Sequence, residues 1–62
     1  MKKIADIKKE LDMEAGILLS MNDNFDNSYV LGWIREYIQI CQRIGFESEN
    51  VLKLKEIKKI YD

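Results

Sequence analysis

The side chains best equipped for chemistry in this chain are few. Asn22-Asp23-Asn24-Phe25-Asp26-Asn27 crowds oxygen-bearing side chains into one segment. A calcium loop needs such ligands at alternate positions, a glycine at the sixth and a bidentate Glu at the twelfth. Counting from Asn22 places Asn27 sixth and Trp33 twelfth, and counting from Asp23 puts Phe25 where a ligand belongs. The segment therefore reads as an Asx-rich turn whose side chains bond their own backbone. Asp26, Asn27 or Ser28 then caps the helix that follows, and Phe25 folds back over the end of the bundle.

Nucleophilic or acid–base chemistry has less to stand on. The chain has no histidine, so neither a Ser-His nor a Cys-His pair can be assembled. With Cys41 the single cysteine, no zinc ligand set and no internal disulfide exist either. Cys41 falls in the middle of an apolar helix face and reads as a small buried hydrophobe rather than a reactive thiol. Most carboxylates fall on polar helix faces or in the loop. A domain of this size has little room for a ligand cavity of about 300–1,000 Å³. The expectation is a protein that is not an enzyme and takes no cofactor or metal.

The elements that position these residues are three helices. The first spans about 2–20, with Ile4, Ile7, Leu11, Ala15 and Leu18 recurring at core spacing and Gly16 lowering local propensity by about 1 kcal/mol against alanine. The second spans 28–44 and divides into halves. Val30, Leu31, Trp33, Ile34, Tyr37, Ile38, Ile40, Cys41 and Ile44 occupy one half, and Gly32, Arg35, Glu36, Gln39, Gln42 and Arg43 the other. A stripe wider than the usual ~100° predicts contact with two neighbours at once, which makes this helix central. Arg43 suits its last turn, Gly45 can take the left-handed conformation that stops it, and Phe46 closes over the end. The third helix spans 48–61, with Ser48 as cap, Val51, Leu54, Ile57 and Tyr61 inward, and Lys55, Lys58 and Lys59 outward. The fold class is all-α, one domain over 1–62.

Composition bounds the rest. The chain is 47% apolar and 34% charged, with no proline and a net charge of −1. That is the balance of an ordered helical domain with no global field toward nucleic acid or membrane. No run approaches the ~20 apolar residues of a membrane span, and no signal segment is apparent. With one unpaired cysteine, this points to the cytoplasm. The weight of Lys, Ile and Asn points to an AT-rich bacterial or phage genome. Sixty-two residues bury only about 60% of their unfolded surface, and such cores rarely supply more than roughly 3–5 kcal/mol. Self-association, as a homodimer, is the expected supplement.

Two binding readings follow. In the first helix Met13, Ile17 and Met21 recur every four residues, roughly opposite the stripe of Ile4, Leu11 and Leu18. An apolar stripe with no core of its own marks a protein interface, and methionine adapts to a partner's shape. Trp33 stands at the margin of the second helix's apolar half, and tryptophan is enriched in binding hot spots. Met13, Ile17, Met21 and Trp33 are the predicted interface, rimmed by Lys9, Glu10 and Glu14, of a small regulator or inhibitor that binds itself or a larger protein.

The second reading rests on Cys41, Gly45, Phe46, Val51 and Leu54. A small residue four before a turn glycine, an apolar residue after it, and apolar residues six and nine later resemble the helix-turn-helix of bacterial DNA-binding regulators. The resemblance covers about fifteen residues, from Ile40 to Leu54. It implies a dimeric regulator contacting DNA through the helix that starts at Ser48, with Ser48, Asn50, Lys53, Lys55 and Lys59 on the nucleic acid. Residues 51–62 carry four lysines against Glu56 and Asp62. Glu47 and Glu49 depart from that reading, since they meet phosphates and acceptor-rich groove edges. Protein binding is therefore the favoured expectation.

Overall fold

Three of the helix boundaries have a local cause, in Asn27, Gly45 and Ser48. The computed structural model describes residues 3–61, and Lys2, where the sequence starts the first helix, lies outside them. Helix α1 (Ile4–Ser20) is followed by a short 3₁₀ turn (Asn22–Asn24), then α2 (Ser28–Ile44) and α3 (Glu49–Tyr61). Between α1 and α2 the chain steps through successive tight turns. The Asn24 amide donates to the Met21 carbonyl and the Asn27 amide to the Asn24 carbonyl, both at 2.9 Å. Asn27, in extended conformation, then caps α2 by accepting the Tyr29 amide on Oδ1 at 2.8 Å. This satisfies one of the donors that a helix start leaves open.

Helix α2 stops at Gly45, whose φ of 71° is the left-handed region. The Phe46 amide reaches back to the Cys41 carbonyl at 2.8 Å and the Gly45 amide to Gln42 at 3.3 Å. These paired bonds close the end of a helix when a glycine turns left-handed. Ser48 starts α3: its Oγ accepts the Val51 amide at 3.3 Å, and its carbonyl accepts Leu52 at 3.0 Å.

The core draws on all three helices and the first loop. Ala15 and Leu18 of α1, Phe25 of the loop, and Val51 and Leu54 of α3 are buried with Val30, Leu31, Ile34, Tyr37, Ile38 and Cys41 of α2. More than half of the buried apolar residues thus come from α2, the central position its wide apolar half predicts. Leu11, Leu19, Met21, Phe46 and Ile57 pack around them. Phe25 does fold back, and it meets the ring of Tyr61 edge-on at 6.1 Å between centroids. Gly16 has no neighbour within 4 Å of where a Cβ would stand, so no close packing explains it.

Three expectations about the core need correction. Ile4 and Ile7, assigned to the core face of the first helix, are exposed, as are Ile40 and Ile44 of α2 and Tyr61 at the end of α3. The start of α3 lies level with Asp12 of α1, where Ser48 and Asn50 bond it. The first two turns of α1 therefore run beyond α3. There Ile44 of α2 lines an apolar groove of about 220 Å³ with Ile4, Ile7 and Lys8. Among the described residues, no helix is long and apolar enough to cross a membrane.

A methyl group at Gly45 would meet nothing within 4 Å, so Gly45→Ala isolates the cost of the left-handed backbone. That cost is about 1–2 kcal/mol. For a domain of this size, thermal unfolding followed by circular dichroism should show a Tm lower by roughly 4–8 °C or more.

Candidate protein interface

The seam between α1 and α2 is where Trp33, one of the four sequence-derived interface residues, meets the first helix. Three contacts define it along its length. Near one end the Trp33 indole N–H donates to Glu14 Oε1 at 3.0 Å. In the middle the Tyr37 hydroxyl donates to the Leu11 carbonyl. At the other end Ile44 faces Ile4 and Ile7. The two helices are therefore antiparallel, and a side chain of α2 meets α1 at every turn or two. Burial, reinforced by the Cys41 thiol and the negative charge of Asp12 and Glu14, pushes the Tyr37 hydroxyl well above the usual phenol range. It stays protonated and serves as a fixed donor.

Helix α3 fills the groove on one side of this seam. It packs more extensively against α1 and α2 than they do against each other. Its N-terminal end is held by Asp12, whose Oδ1 accepts from Ser48 Oγ at 3.0 Å and from Asn50 Nδ2 at 3.4 Å. Charge-assisted bonds from two side chains to one half-buried carboxylate fix where α3 begins. Ser48 thus caps α3 and ties it to α1 with one hydroxyl.

The other side of the seam has no helix on it. Met13 and Ile17 of α1 are 62% and 54% exposed, and Trp33 of α2 is 41% exposed. Along α1, Asp6, Glu10, Met13 and Ile17 recur at spacings of four, three and four, and so share one face. Along α2, Trp33, Glu36, Ile40 and Ile44 recur at three, four and four. The Trp33–Glu14 bond joins these two rows across the seam. Of the four predicted residues, Met13, Ile17 and Trp33 are brought together on this open side. Met21 is half-buried and packs against the core, so it belongs to the edge of the face.

Ile40 and Ile44 also belong to this face, and sequence reasoning assigned them to the core. The signal was present, because α2 carries more apolar side chains than two short neighbours can cover. The inward stripe of α3 is only Val51, Leu54 and the half-buried Ile57. That stripe covers one groove and leaves nothing for the other.

The residues that the helix-turn-helix resemblance places on DNA are dispersed. Ser48 and Asn50 turn toward Asp12 of α1. Lys55 pairs with Glu47 at 2.9 Å and Lys53 lies 3.8 Å from Glu49. Lys55 and Lys59 do converge with Lys58 on a groove of about 440 Å³ between α2 and α3, beside Ile38 and Gln42. In the Asx-rich loop, the one side-chain oxygen with an assigned role is that of Asn27, taken up by the cap. Cys41 is fully buried.

A scan against protein-family models, a search of curated proteins and a search of solved structures each returned nothing for this chain. The functional reading rests on the face itself.

Asp12→Ala removes the acceptor shared by Ser48 and Asn50 and should cost about 1–2 kcal/mol in chemical denaturation. In a double-mutant cycle, Asp12→Ala and Ser48→Ala should couple by at least about 0.5 kcal/mol. Strict additivity would mean that the clamp carries no energy.

Proposed function

We propose that this domain is a non-enzymatic protein-binding module that works through the open α1/α2 face, as a small regulator or inhibitor. One observation carries the reading. Among the described residues the fold buries eleven apolar side chains and leaves eleven large ones exposed. Single exposed apolar residues are ordinary, but a contiguous group of them marks an interaction site. We read the exposed Met13, Ile17, Trp33 and Ile40 of α1 and α2 as such a group, with the tryptophan as its anchor. A second copy of the chain or a different protein can supply the cover. The sealed thiol and the absence of histidine support a binding rather than a catalytic role, and a reducing cytoplasm, bacterial or phage, suits both.

The groove lined by Lys55, Lys58 and Lys59 supports a second reading, a small DNA-binding regulator. On that reading duplex affinity falls steeply with added salt, and replacing Lys55 or Lys59 flattens the dependence. Affinity unchanged by either substitution would dispose of it.

For the protein-binding reading the decisive variant is Ile17→Asp. Its side chain is more than half exposed, so helical content by circular dichroism should stay within error of the wild type. Association should disappear, whether read as self-association by light scattering or as capture of a bound protein. Unfolding of Ile17→Asp would place the residue in the core and end the interface reading, as would association that survives the change.

A further inference from the structure

The exposed apolar side chains of α2 form a row with a symmetry of its own. Tyr29 is 87% exposed, and Trp33, Ile40 and Ile44 are each about half exposed. At 3.6 residues per turn the four fall within about 60° of one another. Their spacings of four, seven and four read the same from either end. Tyr29 and Ile44 thus lie equally far from a midpoint between residues 36 and 37, and so do Trp33 and Ile40. At the Ile44 end is the groove of about 220 Å³ that Ile4, Ile7 and Lys8 complete. At the other end Tyr29, in the first turn of α2, holds its ring in water. Area points outward as well. A folded monomer of 7.4 kDa exposes about 4,200 Å², and this one exposes 4697 Å². The surplus of roughly 500 Å² is more than half of the about 800 Å² that each partner covers in a specific complex.

We infer that a second copy of this chain covers the open face across a twofold axis, its α2 antiparallel to the first, so that Tyr29 of each copy fills the groove of the other. This rests on the protein-binding reading above and names the partner. In that register Trp33 packs on Ile40 of the second copy and Tyr29 on its Ile44, each contact made twice, as a self-complementary interface requires. Ile17, three residues from Glu14, is covered beside Trp33. A cavity of about 150 Å³ takes a benzene ring, so the groove has room for the phenol. Ile4, Ile7 and Ile44 give that ring apolar walls, and Lys8 at the rim brings a cation toward it, a contact that aromatic faces favour. Glu36 stands nearest the axis but at the edge of the row away from α1, where its exposed carboxylate keeps its water. A parallel pairing would stack Tyr29 on Tyr29 and leave both grooves without a ring.

The test uses the full chain. Light scattering across a concentration series should give twice the chain mass. Trp33 is the single tryptophan, and its emission should move to the red as dilution parts the copies. Tyr29→Ser should weaken the dimer by about tenfold or more with helical content unchanged, whereas Tyr29→Phe, which keeps the ring, should not. Tyr29→Cys mixed with Ile44→Cys should cross-link under mild oxidation, and neither variant alone should. A wild-type chain that stays monomeric at millimolar concentration, or a dimer indifferent to Tyr29→Ser, overturns the inference and leaves the face to a different protein. Either cysteine variant linking to itself as readily as in the mixture overturns the antiparallel register. Association that survives Ile17→Asp removes the underlying reading instead.

Discussion

Two antiparallel helices make two grooves, and this chain has one further helix with which to fill them. That shortage governs the rest of the structure. Helix α3 takes the groove lined by Ala15, Leu18, Ile34, Ile38 and Cys41, where Val51 and Leu54 become fully buried. The opposite groove keeps its apolar side chains in water. A chain of 62 residues cannot hide every apolar residue that three helices need for patterning. Of this chain's exposed large apolar side chains, eight belong to α1 and α2 and three, Leu52, Ile60 and Tyr61, to α3.

Polar contacts decide which groove is filled. Asp12 receives both Ser48 and Asn50, which fixes where α3 begins along α1 and so how far α1 overhangs. Tyr37 reaches across to the Leu11 carbonyl, where the hydroxyl is kept neutral by burial and by Cys41 beside it. Hydrophobic burial is non-directional and would accept several registers between three short helices. These few hydrogen bonds select one, since a slip of a turn would strand a buried hydroxyl or a half-buried carboxylate.

Much of this was legible in the residues. Gly45 announced the end of α2, Asn27 was among three candidate caps, Ser48 was the expected start of α3, and Phe25 had no other use than to plug an end. The departures share one cause. Ile4, Ile7, Ile40 and Ile44 obey core spacing, but spacing records only that two residues share a face. Whether that face is covered depends on how far the neighbouring helix extends, and the overhang of α1 follows from a tertiary bond, Asp12 to Ser48, that no local pattern encodes. Trp33 was recognisable as marginal because it falls at the edge of its apolar half. Its link to Glu14 was not, since nineteen residues and a loop separate them.

Cys41 has a consequence of another kind. It sits with zero exposure midway along the helix that supplies most of the core. A thiol reacts as the solvated thiolate, and here solvent arrives only when α2 parts from its neighbours. In a domain with a single small core, no sub-region can open around that sulfur and leave the rest in place. Oxidants and alkylating agents therefore meet a sulfur whose availability is the open fraction of the whole molecule. Its rate of modification gauges how rarely the folded molecule comes apart.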